Sequence, residues 1–362
     1  MHLEFACIQC LSTPLSRLVL LGVVSALLRV VALRRMATPT AAGAVVMAIG
    51  IFLLAALQQL PTPLPSLTQL LALELLIVWA GLAVAYGRAI VTGISPLSRD
   101  DPAEHFAVGT WVAATAVLGE LVVRALPRWH LLGDVLAAFA VLLWLWFLAL
   151  ALPAFGRIII GRTGGRVTGA ILLFTVSTQS LVLVSFAAFP GRVPLSLAAG
   201  LAAIVRRYLR ARRPWMVDGW DNTNCIIHGA ASITGLAIVS SGALPLSWSV
   251  AVWVWGAAML VVVEGIELAR AVARIRTLGW RRGLFSYHVS QWARNFTFGM
   301  FYAFTLQLQR HTGTGLAAAR LAQAVGGGGQ YVVLALLVVE LCLFLPANGG
   351  SPIRLSSGDV RR

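Results

Sequence analysis

Long apolar stretches alternate with short polar gaps along most of this chain. An apolar helix needs about 20 residues to cross the hydrocarbon core of a bilayer, and ten stretches match that pattern. They are approximately Ala41–Leu57, Leu67–Val91, Phe106–Val123, Leu131–Leu152, Val167–Phe189, Pro194–Leu209, Cys225–Ser241, Ser247–Leu268, Val289–Leu308 and Tyr331–Leu345. We therefore predict an all-α integral membrane protein with ten transmembrane helices.

An eleventh apolar stretch, Leu18–Leu33, precedes these ten, but it is short and carries Arg29. It fits a membrane span, an interfacial helix or an uncleaved signal-like segment. The predicted organisation is an N-terminal segment over residues 1–36, which holds this extra hydrophobic helix, a ten-helix core over residues 37–346 and a disordered tail over residues 347–362. The run Gly326–Gly329 is predicted to be a flexible external loop.

The composition supports lipid as the solvent of this fold. Hydrophobic residues make up 59% of the chain and charged residues 11%, with a mean hydropathy of +0.85. That leaves too little polar surface to cover a water-soluble globule of this length. All 28 basic residues are arginine, and the net charge is +15. Because the arginines are dispersed over many loops, we expect them to bind anionic lipid headgroups and expect no nucleic-acid partner.

The arginines also predict the orientation, since cytoplasmic loops of membrane proteins carry an excess of basic residues. One side of the ten-span arrangement holds twenty arginines: Arg34, Arg35, Arg88, Arg99, Arg157, Arg162, Arg166, Arg206, Arg207, Arg210, Arg212, Arg213, Arg270, Arg274, Arg276, Arg281, Arg282, Arg354, Arg361 and Arg362. The other side holds five: Arg124, Arg128, Arg192, Arg310 and Arg320. We predict a multi-pass protein of the cell (plasma) membrane, with both ends of the ten-helix core in the cytoplasm.

The odd-numbered spans concentrate small and hydroxylated residues, whereas the even-numbered spans are bulkier. The odd spans contribute Gly43, Gly50, Gly109, Thr110, Thr115, Gly119, Thr168, Gly169, Thr175, Ser177, Thr178, Gln179, Ser180, Ser185, Gly229, Ser232, Thr234, Gly235, Ser240 and Ser241. Small residues let helix backbones approach closely, and hydroxyl groups are tolerated where they face protein or water. We predict that the odd spans are interior and the even spans face lipid. Tight helix packing without any pore would explain the same pattern.

Four short motifs resemble those of a known family. The ninth span reads Trp292-Ala-Arg-Asn-Phe296-Thr-Phe298-Gly299-Met300-Phe301-Tyr-Ala-Phe-Thr305, and the fifth reads Gly169-Ala-Ile-Leu-Leu-Phe-Thr175-Val-Ser-Thr178-Gln179-Ser180. Weaker similarities occur in the seventh span, His228-Gly229-Ala-Ala-Ser-Ile233-Thr234-Gly-Leu-Ala237, and in the first span, Val46-Met47-Ala48-Ile49-Gly50-Ile51. Over residues 41–345 the chain resembles the ten-helix tellurite-resistance and C4-dicarboxylate transporters, whose relatives include plant guard-cell slow anion channels.

The resemblance implies five helical hairpins around a central pore, with odd helices inside, even helices outside, and usually a homotrimer with one pore per subunit. It also implies that a ninth-span phenylalanine plugs the pore. The motif places this role on Phe296, or on Phe298 if the register slips by two. The candidate pore-lining residues are Gly50, Gly109, Thr110, Thr175, Thr178, Gln179, Gly229, Thr234, Thr297 and Gly299. The implied substrates are small inorganic or organic anions, and the sequence does not distinguish tellurite, sulfite, malate, nitrate and chloride.

Two positions depart from the family pattern. Thr297 stands where the family usually has proline, so a bend in this helix must come from elsewhere, and Gly299 is a candidate source of flexibility. His228 occupies a seventh-span position that is commonly apolar. A histidine titrates near neutral pH and could tune conduction, but the sequence favours a satisfied histidine near the membrane surface.

Acidic residues within spans support an alternative from another class. Glu74, Glu120, Glu264, Glu267 and Glu340 lie in or near spans, and buried ionisable groups in membranes often mark proton relays. Glu264 and Glu267 share one helix face near Arg270 and Arg274, which predicts structural pairing. Glu120, on the third span, is the acid closest to the proposed pore. A proton-coupled dicarboxylate carrier therefore stays open, with His228 and Glu120 as candidates for pH modulation.

An enzymatic alternative depends on one loop. Asp218 and Asp221 invite comparison with the magnesium-binding aspartates of membrane prenyltransferases, but such chemistry typically needs several convergent carboxylates. Without lysine the chain cannot form a P-loop. The cysteines are scattered, so we expect no metal site, no disulfide framework and no cofactor. The sequence favours a channel or exporter for anions over a membrane-embedded lipid-modifying enzyme.

Overall fold

The structure is a computed structural model, and it describes residues 38–61, 65–94, 97, 101–160, 168–185, 220–242, 244–311 and 317–349. These described residues form the α-helices α1 (Gly43–Ile51), α2 (Pro65–Val91), α3 (Pro102–Ala107), α4 (Gly109–Ala125), α5 (His130–Ile159), α6 (Leu173–Ser185), α7 (Ile226–Ser241), α8 (Leu246–Leu284), α9 (Gln291–His311) and α10 (Ala317–Gly349). Over these residues the chain is helical and contains no strand. Seven helices are long and apolar enough to cross a membrane. The prediction of an all-α, membrane-type protein is confirmed.

Short helical segments extend several of these helices. A 3₁₀ turn precedes α1, and α1 continues as a π-helix over Phe52–Ala56 and a 3₁₀ turn over Leu57–Gln59. Other 3₁₀ turns, Gly169–Leu172 and Asn222–Cys225, lead into α6 and α7. The helix α8 bends near its end at Gly279, whose φ of 77° lies in the left-handed region that favours glycine.

The ten-span count stays a prediction. The fifth span corresponds to a shorter apolar helix, Gly169–Val184, and the ninth corresponds to α9, which is helical but is not among the seven apolar helices. The sixth predicted span and Leu18–Leu33 lie outside the described residues. The tenth span begins at Ala317, well before Tyr331. The predicted loop Gly326–Gly329 is therefore wrong: these glycines are helical, and Gly326 and Gly329 pack against Gln309 and Tyr302 of α9.

Burial separates inner helices from outer ones. In an apolar 18-residue stretch of each of the segments Thr40–Gln59, Pro102–Ala125 and Asn222–Ser241, 83%, 89% and 83% of the residues are buried. In the corresponding stretches of the segments built on α2, α5, α8 and α10, only 33%, 22%, 22% and 22% of the residues are buried. The inner helices are thus the odd-numbered predicted spans, and the exposed outer helices are apolar enough to face lipid.

Five inner helices form a closed ring. Contacts run from α1 to α4, from α4 to α6, from α6 to α7, from α7 to α9, and from α9 back to α1. Glycines allow the closest approaches: a Cβ on Gly43 would lie 2.6 Å from the Thr110 carbonyl oxygen. The outer helices α2, α5, α8 and α10 pack on the outside of this ring.

The inner helices run parallel to one another. Gly43 and Gly50 of α1 meet Thr110 and Val117 of α4, respectively, an equal step along both helices. In the same way, Gly229 and Gly235 of α7 meet Thr297 and Phe304 of α9. The amino ends of the inner helices therefore surround one opening of the ring, the N-terminal mouth, and their carboxyl ends surround the C-terminal mouth.

The outer helices run antiparallel to the inner ones. On α5, Trp144 contacts Thr178 of α6, while the later Phe155 contacts the earlier Phe174. On α8, Trp253 bonds Thr305 of α9, while the later Glu267 pairs with the earlier Arg294.

One hydrogen bond recurs between outer and inner helices. The indole N–H groups of Trp79, Trp144 and Trp253 donate to Thr115, Thr178 and Thr305 at 3.1, 3.1 and 2.9 Å, respectively. Each threonine hydroxyl in turn donates to the carbonyl four residues earlier at 2.8 Å. These bonds fix the outer helices on the ring, and each is worth about 1 kcal/mol in a membrane.

Candidate functional site

The direction of Phe296 follows from its neighbours on α9. Thr297 faces Gly229 of α7, and Gly299 faces Ile51 of α1. Successive residues of a helix are separated by about 100° around its axis, so Phe296 lies between the directions of the two ring neighbours. Phe296 therefore projects toward the interior of the ring, where it is buried, with 2% of its surface exposed.

Phe298 lies on the opposite side of α9, about 200° around the axis from Phe296. Its ring packs edge-on against His228 at 5.7 Å between centroids. This outer side of α9 also carries Thr305 and Tyr302, which contact α8 and α10, respectively. The two plug candidates thus have different surroundings, and only Phe296 points into the ring.

The ring interior is apolar at the level of Phe296. The same comparison of contact directions places Met47 of α1, Ala113 of α4, Val176 of α6 and Ile233 of α7 on the interior side. All four are buried, and they belong with Phe296 to one hydrophobic cluster. Phe296 is the largest of these five buried side chains on the interior side of the ring.

The glycines predicted to line a pore lie instead at contacts between neighbouring helices. A Cβ on Gly50 would lie 2.5 Å from the Val117 side chain, and one on Gly109 would lie 3.0 Å from the Leu173 carbonyl oxygen. Gly229 and Gly299 have the corresponding role against Thr297 and Ile51. These contacts agree with close helix packing, the alternative that the sequence left open, and pore lining by these glycines stays a prediction.

The predicted polar lining residues are distributed over several contacts. The Thr110 hydroxyl bonds the Ala107 carbonyl, and Thr178 accepts its hydrogen bond from the outer helix α5. Thr175 is buried within α6. Gln179 donates to Thr234 at 3.5 Å and so bridges α6 and α7, while its Oε1 atom has no hydrogen bond.

Thr297 forms a hydrogen bond to the backbone of its own helix. Its hydroxyl donates to the Arg294 carbonyl at 2.8 Å, a type of side-chain bond that often bends helices. Its methyl group fills the space beside Gly229, where an added Cβ would lie 2.2 Å away. Glycine at 229 is therefore what allows threonine at 297.

A partly buried charged network lies beside the ring, between α7, α8 and α9. Arg294 of α9 contacts Glu267 at 3.0 Å and Glu264 at 3.5 Å. Glu267 also pairs with Arg270 at 2.6 Å, and Arg270 donates to Asn222 at 3.1 Å. The predicted pairing of Glu267 with Arg270 is present in the structure. Arg294 lies inside the predicted ninth span, so a count of arginines in the loops does not assign it a role.

His228 joins this network from α7. Its Nε2 atom lies 3.8 Å from Glu264 and 3.5 Å from the Thr297 hydroxyl, and the side chain is fully buried. Its Nδ1 atom has no hydrogen bond. His228 thus lies on the outer side of the ring and does not line its interior. Ionisable groups at such a depth are costly and are functional candidates by default.

The start of α9 is anchored by aromatic contacts. The Trp292 indole donates to the Tyr287 hydroxyl at 3.1 Å, and both rings pack edge-on against Phe344 of α10. Burial raises the pKa of Tyr287, in the loop before α9, to about 12. The hydroxyl therefore stays neutral, and these contacts fix the helix that carries Phe296.

Glu120 lies near the C-terminal mouth. It is seven residues after Ala113 and so on nearly the same face of α4. The Arg124 guanidinium donates to it at 2.6 Å, and the two side chains are 28% and 64% exposed for Glu120 and Arg124. Both side chains are therefore more open to the surroundings than the residues at the level of Phe296. The other intramembrane acids, Glu74 and Glu340, lie on the outer helices α2 and α10.

The acidic loop of the enzymatic alternative is only partly described. Asp218 lies outside the described residues. The Asp221 carboxylate accepts hydrogen bonds from the Thr223 N–H and hydroxyl at 2.8 and 2.6 Å, so it caps the turn that leads into α7. No group of His, Cys, Asp and Glu residues suited to a metal ion occurs in the described part of the chain.

Comparison with known proteins identifies no family: no protein-family model matches the chain, and no curated protein matches it. The resemblance to the tellurite-resistance and C4-dicarboxylate transporters therefore stays a prediction from the four short motifs.

Proposed function

We propose that this protein is an integral-membrane anion channel or exporter whose pore is the interior of the five-helix ring, plugged by Phe296. The observation that carries the proposal is the closed ring of inner helices with Phe296 on its interior face, surrounded by buried apolar residues. A ring of this kind needs no dedicated binding site, because small anions require only a wetted path and favourable dipoles.

The plug explains how such a path stays shut. An aromatic ring across a narrow apolar constriction excludes water, and a permeating anion would there lose its hydration without compensation. Truncation of Phe296 to alanine would leave an apolar opening in the middle of the ring, so this variant tests whether the side chain blocks the path.

Electrostatics favour anions over cations at one end. The inner helices are parallel, so their amino ends, which carry partial positive charge, converge on the N-terminal mouth. The arginine distribution predicts that this mouth is cytoplasmic, which would concentrate cellular anions at the entrance. Export of anions is therefore the direction that we propose.

The finer architecture is part of the proposal. We propose ten transmembrane helices arranged as five hairpins, both ends of the core in the cytoplasm, a plasma-membrane location among anionic lipids, and assembly as a homotrimer. The parallel inner helices and antiparallel outer helices support the hairpins. Small inorganic or organic anions are the proposed substrates, with no cofactor.

The test is anion flux through the purified protein in liposomes, comparing wild type, Phe296→Ala and Phe298→Ala. We expect a nearly silent wild type, a conducting Phe296→Ala and a silent Phe298→Ala, because only Phe296 faces the ring interior. Conduction by Phe298→Ala with a silent Phe296→Ala would move the plug by two residues. Silence of both variants, each correctly folded, would overturn the proposal.

A proton-coupled dicarboxylate carrier is the second candidate, and the charged network favours it. Glu264 and Arg294 are partly buried and contact the buried His228 region, and intramembrane ionisable clusters of this kind often mark proton relays. In the same liposomes, malate uptake that requires a pH gradient and is lost in Glu264→Gln would support the carrier. Flux that follows voltage without a pH gradient would support the channel.

A further inference from the structure

The charged pair Glu120–Arg124 lies where an anion would leave or enter the C-terminal mouth. On α4, Gly109 faces α6 and Val117 faces α1. Glu120 lies between these two directions around the helix axis, so it is on the interior face of α4. The contacts of α4 with the outer helices come from other faces, at Thr115 toward α2 and Gly119 toward α5. Glu120 thus faces the same interior as Phe296.

The positions of Glu120 and Arg124 along α4 determine the order in which a passing anion meets their charges. Arg124 is one turn closer to the end of α4 than Glu120, and its side chain is 64% exposed, whereas that of Glu120 is 28% exposed. An anion leaving the ring interior would therefore pass the more buried carboxylate before the more exposed guanidinium. The carboxyl ends of the parallel inner helices add partial negative charge at this mouth.

These charges act on anions in proportion to valence. From this geometry we propose that Glu120 selects monovalent over divalent anions, so that the substrates are small monovalent anions of the nitrate and chloride class, with Arg124 partly cancelling the barrier. This inference rests on the proposed function, and it assigns the substrate class of the same pore. A dianion such as sulfate or malate would meet twice the Coulomb repulsion of nitrate at the same point.

The exposure of Glu120 and Arg124 determines which dielectric constant applies, and this sets the expected change in anion occupancy. One unit charge at about 6 Å in water changes the occupancy of a monovalent ion about threefold. The factor for a dianion is the square of that, about tenfold. The partial exposure of Glu120 makes the aqueous dielectric appropriate, so larger effects are not expected.

The experiment uses the conducting Phe296→Ala protein in liposomes, with nitrate and sulfate fluxes measured separately. Adding Glu120→Gln should raise nitrate flux about threefold and sulfate flux about tenfold, so the nitrate-to-sulfate ratio falls about threefold. Adding Arg124→Gln should act in the opposite direction, lowering both fluxes and raising the ratio. The control is Glu74→Gln, because Glu74 lies on the outer helix α2 and should leave the ratio unchanged.

The outcomes separate this inference from the proposed function. An unchanged ratio in both Glu120→Gln and Arg124→Gln, with Phe296→Ala still conducting, overturns the valence filter alone. If Phe296→Ala is folded and silent, the proposed pore and this inference both fail. The Arg124 variant keeps the inference falsifiable if Glu120→Gln does not fold, because its expected shift has the opposite sign.

Discussion

The ion pair between Arg294 and Glu267 joins the helix that carries Phe296 to the outer helix α8, and a double-mutant cycle measures its strength. Glu267 is 4% exposed and lies 3.0 Å from the guanidinium of Arg294. The perturbations are Arg294→Gln, Glu267→Gln and the two combined. The glutamine side chains keep most of the volume while removing one or both charges.

The expected loss in the free energy of unfolding depends on which charge each variant leaves without its partner. Removing one partner of a buried ion pair typically costs about 3–5 kcal/mol, because the other charge stays buried without compensation. Arg270 still contacts Glu267 at 2.6 Å when Arg294 is replaced. We therefore expect a loss at the lower end, about 3 kcal/mol, for Arg294→Gln. The double variant should lose less than the sum of the single losses, by about 1–3 kcal/mol.

The assay is reversible unfolding of the purified protein in mixed detergent micelles, followed by helical circular dichroism. The three variants and the wild type give the coupling free energy directly. A coupling below about 0.5 kcal/mol is what distant, independent sites show, and it would refute the conclusion that this pair holds α9 against α8. The same proteins in liposomes report whether loosening α9 also causes anion leakage.

Two further perturbations test the packing of the ring. Gly229→Ala would place a Cβ about 2.2 Å from the Thr297 methyl group, so we expect a loss of about 1–3 kcal/mol in the same unfolding assay; Gly265→Ala, where a Cβ meets nothing within 4 Å, is the matched control and should lose nothing. Thr178→Val removes the acceptor of the Trp144 indole and should cost about 1 kcal/mol. The control Thr92→Val alters only an exposed bond at the end of α2, and equal losses in both threonine variants would argue against the recurrent Trp–Thr bond.

The sequence predicts the class of the fold because hydropathy and arginine placement both respond directly to the bilayer. It also predicts which helices are inner, since residues such as Gly43 and Gly229 are required where a neighbouring helix approaches closely. The same reasoning fails at α10, where Gly326–Gly329 has the composition of a loop. Packing of Gly329 against Tyr302 explains why glycine is used within a helix there.

The candidate site was less accessible to sequence reasoning, because it depends on the rotation of each helix about its axis. Thr178 and Gln179 are adjacent in the chain, yet one contacts the outer helix α5 and the other the inner helix α7. A span boundary that is uncertain by two residues cannot determine such a direction. The rotation of α9 becomes clear only when Thr297 and Gly299 are seen against their partners.

Arg294 illustrates a second limit. Its partners Glu264 and Glu267 are distant in sequence and lie on another helix, so no local pattern connects them. A charged residue within a predicted span is the available signal, and it indicates a buried pair or a functional site.

The most direct measurement of the central claim is anion flux across a size series at position 296. Nitrate flux in liposomes would be compared for Phe, Leu, Val and Ala at this position, with the same series at position 298 as the control. The account predicts that flux rises stepwise as the side chain at 296 shrinks, while the 298 series stays near the wild-type level. Flux that is independent of side-chain size at 296, or that follows the series at 298, would contradict a ring interior plugged by Phe296.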